Sequence, residues 1–311
     1  MVADITLRSL HLGLRVTGII FNPSARGEKA HHFRDHLAEL GAGVRILPTT
    51  GPGDARLLAR QLAVEGIETI TAAGGDGTVN EVLNGVADAP EGLTRCRIAV
   101  IPLGTVNVFA KEIGIPERLD RAWSVIRAGH ERTIDLPLAK FTIAHGRREQ
   151  RHFMLLAGAG LAARAIERVD WKLKKRFGPL AYLWAGVQAM RPPRPEVQVR
   201  IKEECLAGPL VEIGGGEFYG GRFVFFPGAK LDDGLLEVTL LPRLNWGVLA
   251  RVFFRVISRR LRTTPEVILR RTAELTLTAP KPMPFHLDGD VVGELPATLS
   301  VRPRALRVVV P

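Results

Sequence analysis

The segment Gly74-Gly75-Asp76-Gly77-Thr78 sets three glycines and a carboxylate between an apolar run, Thr69–Ala73, and a helical pattern, Thr78–Val86. Glycines let backbone N–H groups approach a ligand closely. A helix start adds unpaired N–H groups and partial positive charge, which together suit a phosphate. Asp76 would repel that phosphate unless a divalent cation bridges them, or unless it orients a hydroxyl or water. The turn is not a GxxxxGK[ST] P-loop, and no GxGxxG follows the first strand. A pair of carboxylates, Asp288 and Asp290, flanks Gly289. Two readings are open there: an exposed general base or an Asp-Gly hairpin turn. Asp232-Asp233-Gly234 is likewise either a hard-cation loop or a turn. The eight histidines form no HxH or HExxH pattern, and His31-His32 fits the surface or core of a helix.

The elements that must carry these residues follow from hydrophobic period. Val16–Phe21, Val44–Leu47, Thr69–Ala73 and Ile98–Ile101 read as strands. His31–Leu40, Asp54 to about Glu65, and Thr78–Val86 read as helices between them. Alternation of this kind builds a parallel sheet covered on both faces. Ligands of such sheets sit beyond the carboxyl ends of the strands, where Asn22, Gly74–Thr78 and Gly104–Asn107 all fall. After about Asp135 the pattern becomes antiparallel β: Leu138–Ile143, Phe153–Leu156, Val197–Ile201, Arg222–Phe226, Leu235–Leu240 and Glu274–Thr278. Helical insertions are expected at about Ala162–Met190 and Trp246–Leu261. The fold class is therefore α/β plus all-β, with a boundary near residues 130–138.

With 311 residues and 46% apolar composition the chain can bury one large core or two ordinary ones. Two cysteines, Cys96 and Cys205, are too few for a disulfide scaffold or a cysteine zinc site. The balance of 43 basic against 32 acidic residues gives +11, which favours an anionic partner. No apolar run is long enough for a transmembrane helix, and the N-terminus lacks signal-peptide features. The expected compartment is the cytoplasm.

In ordered blocks over nearly its whole length the chain resembles the diacylglycerol kinase-like lipid kinases. The blocks are Asn22-Pro23-Ser24 with Gly27; Thr49 with Gly53-Asp54-Ala55; Gly74 to Val82 with Asn84-Gly85; Pro102 to Asn107; Lys230 to Leu235; and Leu287 to Asp290. The resemblance implies an N-terminal parallel α/β nucleotide domain (1–135) and a C-terminal antiparallel β-sandwich domain (136–311). A cleft between them is implied too, and the C-terminal tail is a candidate to return to the first domain. It also implies ATP-dependent phosphorylation of a lipid hydroxyl, with Mg2+.

Phosphoryl transfer needs phosphate positioning, charge neutralisation and a base. By resemblance, Thr49, Gly74, Gly75, Asp76, Gly77, Thr78, Val79, Asn80 and Thr105 bind ATP, with Asn22 as a further contact. Asp290 is the candidate base, and Asp288 a holder of Mg2+ or a tuner of that base. A structural cation is implied at Asp233 with the carbonyls of Lys230 and Leu235. Two departures remove acids that the family carries: Val108 follows Asn107, and Ala162 follows Gly160-Leu161. They leave open a catalytically weak lipid- or nucleotide-binding regulatory protein.

Trp246–Arg262 has Leu249, Val252, Phe253, Val256 and Ile257 at helical spacing, interleaved with Arg251, Arg255, Arg259, Arg260 and Arg262. It reads either as a helix lying on an anionic membrane or as one packing its stripe inward with solvated arginines. Trp171–Arg176 with Phe177, Tyr182 and Trp184 is a second basic-aromatic cluster. A soluble hydroxyl acceptor is a competing substrate class. Nucleic acid is not expected, because basic residues are not interleaved with a stacking platform. Nothing indicates an oligomer.

Overall fold

The computed structural model describes residues 16–25, 33, 43–143, 146–168 and 196–311. Gly27, His31-His32, the helix His31–Leu40 except Phe33, and the Trp171–Trp184 cluster lie outside those residues. Two compact units divide the described chain: residues up to Ile134 with Arg304–Pro311, and Asp135–Pro303.

The first unit is a parallel sheet of β1 (Thr17–Phe21), β2 (Val44–Pro48), β3 (Thr69–Gly74) and β4 (Arg97–Pro102), in the order β4-β3-β1-β2. Every residue of β3 and β4 is buried, as expected for strands covered on both faces. Phe21 pairs with Pro48 and Ala73, and Gly74 pairs with Pro102, so the four strands end at one level. The C-terminal Val308 joins in parallel beside Ile98. Ile19, Phe21, Ala73, Ile101 and Val309 form the core on one face. The helices Asp54–Val64 and Asp76–Asp88 pack against each other, and Gly85 is where they meet. A Cβ there would lie 2.1 Å from the Arg56 carbonyl oxygen, so only hydrogen fits. Glu81 fixes the same pair by accepting the Gly53 and Ala55 N–H groups at 2.9 and 3.1 Å.

The second unit is an antiparallel β-sandwich. Its strands are β5 (Glu131–Thr142, entering from the first unit), β6 (Arg148–His152), β7 (Leu156–Gly160), β8 (Val197–Ile201), β9 (Glu204–Gly208), β10 (Leu210–Gly214), β11 (Phe218–Tyr219), β12 (Phe223–Val224), β13 (Leu236–Leu241), β14 (Ile268–Thr272), β15 (Glu274–Thr278), β16 (Pro284–Leu287) and β17 (Asp290–Val309). One layer runs β14-β13-β10-β7-β16 and continues into the start of β17. The other joins β9, β8, β15 and the middle of β17. Phe153, Val199, Ile213, Val238, Leu277, Phe285 and Leu299 lie in the core between them.

Three local expectations are revised. The helix expected from Thr78 begins at Asp76, so Asp76 and Gly77 occupy its first turn. Phe153–Leu155 is not strand, because the N–H groups of Met154 and Leu155 turn toward a carboxylate rather than a neighbouring strand. Arg222–Phe226 shortens to the two residues of β12.

Candidate functional site

Asn22, Thr49, Gly75 and Gly104 follow the level ends of β1 to β4, so four loops share one edge of the first unit. Hydrogen bonds between and within these loops order them. Asn22 donates its amide to Thr78 Oγ1 at 3.1 Å and accepts the Ser24 N–H at 2.9 Å. Thr49 is buried and donates its N–H to the Phe21 carbonyl at 2.8 Å. Beyond it, Thr50 and Gly51 donate to Asp54, and the Thr50 hydroxyl is the main cause holding that carboxyl below its usual range. Asn107 clasps its own loop, accepting the Gly104 N–H at 3.0 Å and donating to the Gly104 carbonyl at 2.8 Å.

The glycines divide into two kinds. Gly74 makes room for the buried Thr78, whose Oγ1 would lie 2.4 Å from an added Cβ. A Cβ on Gly104 would lie 2.5 Å from Gly75 Cα, so these two loops touch through bare backbone. Gly77 is different: nothing lies within 4 Å of its Cβ position, and it is exposed. The helix Asp76–Asp88 has no side-chain cap, and its preceding residue Gly75 is extended. First-turn N–H groups have no partner inside a helix. An open, uncapped helix start with a bare residue in its first turn can receive an anion. Val79 is buried, Asn80 is half-buried beside Asn84, and Thr105 is exposed on the neighbouring loop.

Asp76 has an occupation that sequence reasoning missed. Its two oxygens accept the N–H groups of Val108 and Phe109, each at 3.1 Å. These residues open the helix Val108–Glu112. The carboxylate therefore caps that helix and holds the Gly104–Asn107 loop against the glycine turn. The expected cation bridge would compete with this arrangement. Asp76→Ala is expected to lower unfolding free energy by about 1–2 kcal/mol and to weaken triphosphate binding. Asp76→Asn, which keeps one acceptor, should recover about half of that stability. Thermal unfolding with a nucleotide titration measures both, and equal effects of Ala and Asn would defeat the capping role.

In the second unit Asp288 and Gly289 form the two-residue turn joining β16 to β17, with Leu287 paired to Asp290. Both turn residues have positive φ, 47° and 92°, the geometry that Asp-Gly supplies in a tight hairpin. Asp288 accepts the N–H groups of Met154, Leu155 and Leu156 at 2.8, 3.0 and 3.0 Å. Its own N–H donates to the Leu156 carbonyl at 2.7 Å. Asp288 thus ties the hairpin to the Met154–Leu156 backbone. Asp290 is exposed at the head of β17, and its carboxylate has no hydrogen-bond or ion-pair partner among the described residues.

Lys230, Asp233 and Leu235 lie in one turn, but its carboxylate is spoken for. Asp233 accepts the Leu235 N–H at 3.1 Å and pairs with the Arg271 guanidinium. Asp135 accepts the Gly234 N–H at 2.6 Å. An arginine stands where the resemblance implies a cation, so as arranged these residues do not form a cation cage. Among the described residues no group of three or more His, Cys, Asp or Glu side chains could hold a metal ion.

The same sheet holds a buried pair for which no sequence pattern exists. His286 Nε2 lies 3.3 Å from Glu212 Oε1, both fully enclosed, with Gly158 between them in register. Burial pushes the Glu212 carboxyl up, opposed by attraction to His286. An added Cβ at Gly158 would lie 2.6 Å from either side chain.

The model of the diacylglycerol kinase catalytic domain matches residues 17–139, and that of the YegS C-terminal NAD kinase beta sandwich-like domain matches residues 156–310. A diacylglycerol kinase of Staphylococcus aureus (strain bovine RF122 / ET3-1) is 30% identical, spanning 94% of this chain and 91% of its own. One from Staphylococcus carnosus (strain TM300) is also 30% identical, spanning 90% of both. A crystal structure of a diacylglycerol kinase from Bacillus anthracis str. Sterne superposes with a TM-score of 0.68 at 19% identity, covering 96% of this chain and 97% of that one. Another crystal structure from that strain reaches 0.78 at 22% identity, covering 96% and 95%. At such identities the two structures speak for the fold. No helix among the described residues is long and apolar enough to cross a membrane. By the matched relatives and both domain models, the chain belongs to the diacylglycerol kinase-like family of lipid kinases, enzymes that transfer a phosphoryl group to an alcohol.

Proposed function

We propose that this chain uses ATP to phosphorylate a hydroxyl of a diacylglycerol-like or sphingoid lipid at a membrane surface. The observation that carries the reading is the uncapped helix start at Asp76–Thr78, open beside Gly77 at the common edge of four parallel strands. In this proposal the free N–H groups of that turn hold the terminal phosphates. Thr49 and Thr105 flank the nucleotide, while Asn22, Thr78 and Asp76 keep the loops in register. A divalent cation bound with the triphosphate would neutralise its charge. Asp290 accepts the proton of the attacking hydroxyl as the new O–P bond forms and the bond to ADP breaks. The matched Staphylococcus relatives are named diacylglycerol kinases, which makes diacylglycerol the first acceptor to test.

A second reading, a catalytically weak regulatory protein, is favoured by Val108 and Ala162, which stand where the resemblance places acids. Purified protein incubated with γ-labelled ATP and micelles carrying diacylglycerol, a sphingoid base or a polyprenol separates the two. Label in one lipid is the expected result. Tight ATP binding with no label in any lipid would establish the second reading instead.

A further inference from the structure

The helix Trp246–Ile257 is apolar on two sides. Asn245 caps it by accepting the Val248 N–H at 2.9 Å. Its inner side buries Val248 and Val252, with Leu249 and Val256 packed partly, against Leu161, Leu241, Leu244 and Leu261. At about 100° per residue, Trp246, Ala250, Phe253, Phe254 and Ile257 form a second side, roughly 130° round the helix from the first. That side faces outward: Trp246 and Phe253 are 57% exposed, Phe254 67% and Ile257 52%. Phe253 and Phe254 stack edge to face at 5.8 Å. The single stripe expected from sequence is thus divided, with Val252 and Val256 turned in and Phe253 and Ile257 turned out. Exposed large side chains clustered in this way mark a surface with a partner.

Charge identifies that partner. Six arginines and no acid lie between Pro242 and Pro265. Arg251 pairs with Glu266. Arg255 and Arg259 have no ion-pair partner among the described residues. An aromatic face on a stretch whose charges are all positive disfavours a second copy of itself and complements an anionic lipid interface.

We infer that this helix face docks the chain on an anionic bilayer, its aromatic residues entering the headgroup boundary and its arginines meeting lipid phosphates. The inference rests on the lipid-kinase reading, because a kinase of bilayer lipids has to work at that boundary.

The test measures binding to phosphatidylglycerol/phosphatidylcholine vesicles and to pure phosphatidylcholine vesicles. The wild-type chain should prefer the mixed vesicles and lose affinity in high salt. Phe253→Ser/Phe254→Ser should reduce partitioning about tenfold or more. Arg255→Gln/Arg259→Gln should reduce binding to mixed vesicles by about fivefold per arginine and leave neutral vesicles unaffected. All four side chains are at least partly exposed, so melting temperatures should hold. Turnover of a short-chain diacylglycerol dissolved below its micelle concentration should also hold, which separates docking from catalysis. Unchanged vesicle binding in the Phe variant would overturn the inference, as would equal wild-type binding to neutral and mixed vesicles. So would a dimer in sedimentation that the Phe variant dissolves while vesicle binding stays intact. Loss of turnover on the dissolved lipid in wild type would instead strike the kinase reading.

Discussion

Asp290→Asn is expected to reduce lipid phosphorylation by about 10²–10⁴-fold, the usual contribution of a positioned general base. The side chain is exposed and makes no hydrogen bond or ion pair among the described residues, so its removal breaks no structural contact. The paired backbone position beside Leu287 accepts Asn without strain. Melting temperature and ATP affinity should therefore match wild type, and the loss should appear in kcat far more than in KM. Asp290→Glu should retain part of the activity, because the same group returns on a longer stem. A variant in which kcat stays within a few-fold of wild type would remove Asp290 from the reaction.

How much of this was legible in the sequence depends on whether the information was local. The strand-helix alternation of the first unit was plain because β1, β3 and β4 are short apolar runs bounded by turns, and their buried patterns follow directly. The strands Val197–Ile201 and Glu274–Thr278 alternate cleanly and form as expected. The sequence pattern starts this helix at Thr78, two residues after its true start at Asp76, because glycine is a poor helix former. In a first turn facing open space that penalty matters less than access to the backbone. The roles of the aspartates were not local. Asp288 meets N–H groups 132 to 134 residues away, and Asp76 meets groups 32 and 33 away. A one-dimensional pattern shows that a carboxylate follows a strand; it does not show which backbone turns toward it. The helix Trp246–Ile257 was ambiguous for a further reason. With both faces apolar, period alone does not decide which face is covered.

Asp288→Ala should destabilise the hairpin by about 3–5 kcal/mol. Three backbone N–H groups, those of Met154, Leu155 and Leu156, lose their acceptor at once. An unsatisfied buried donor costs about 1–3 kcal/mol, and water entering around the half-buried Leu156 would offset part of that sum. Alanine also adopts the positive φ of 47° less readily than Asp. Asp288→Asn is the discriminating partner. It retains one carbonyl oxygen, and Asn-Gly suits this turn as well as Asp-Gly does. It should therefore cost only about 1–2 kcal/mol and keep most of the turnover. If Asp288 acted through its charge, by holding a cation or shifting the proton affinity of Asp290, Asn would be nearly as damaging to turnover as Ala despite its restored stability. Measuring unfolding by denaturant alongside kcat across pH for both variants separates the two accounts. The hairpin geometry predicts that turnover follows stability from wild type to Asn to Ala, with the wild-type pH profile preserved in the Asn variant.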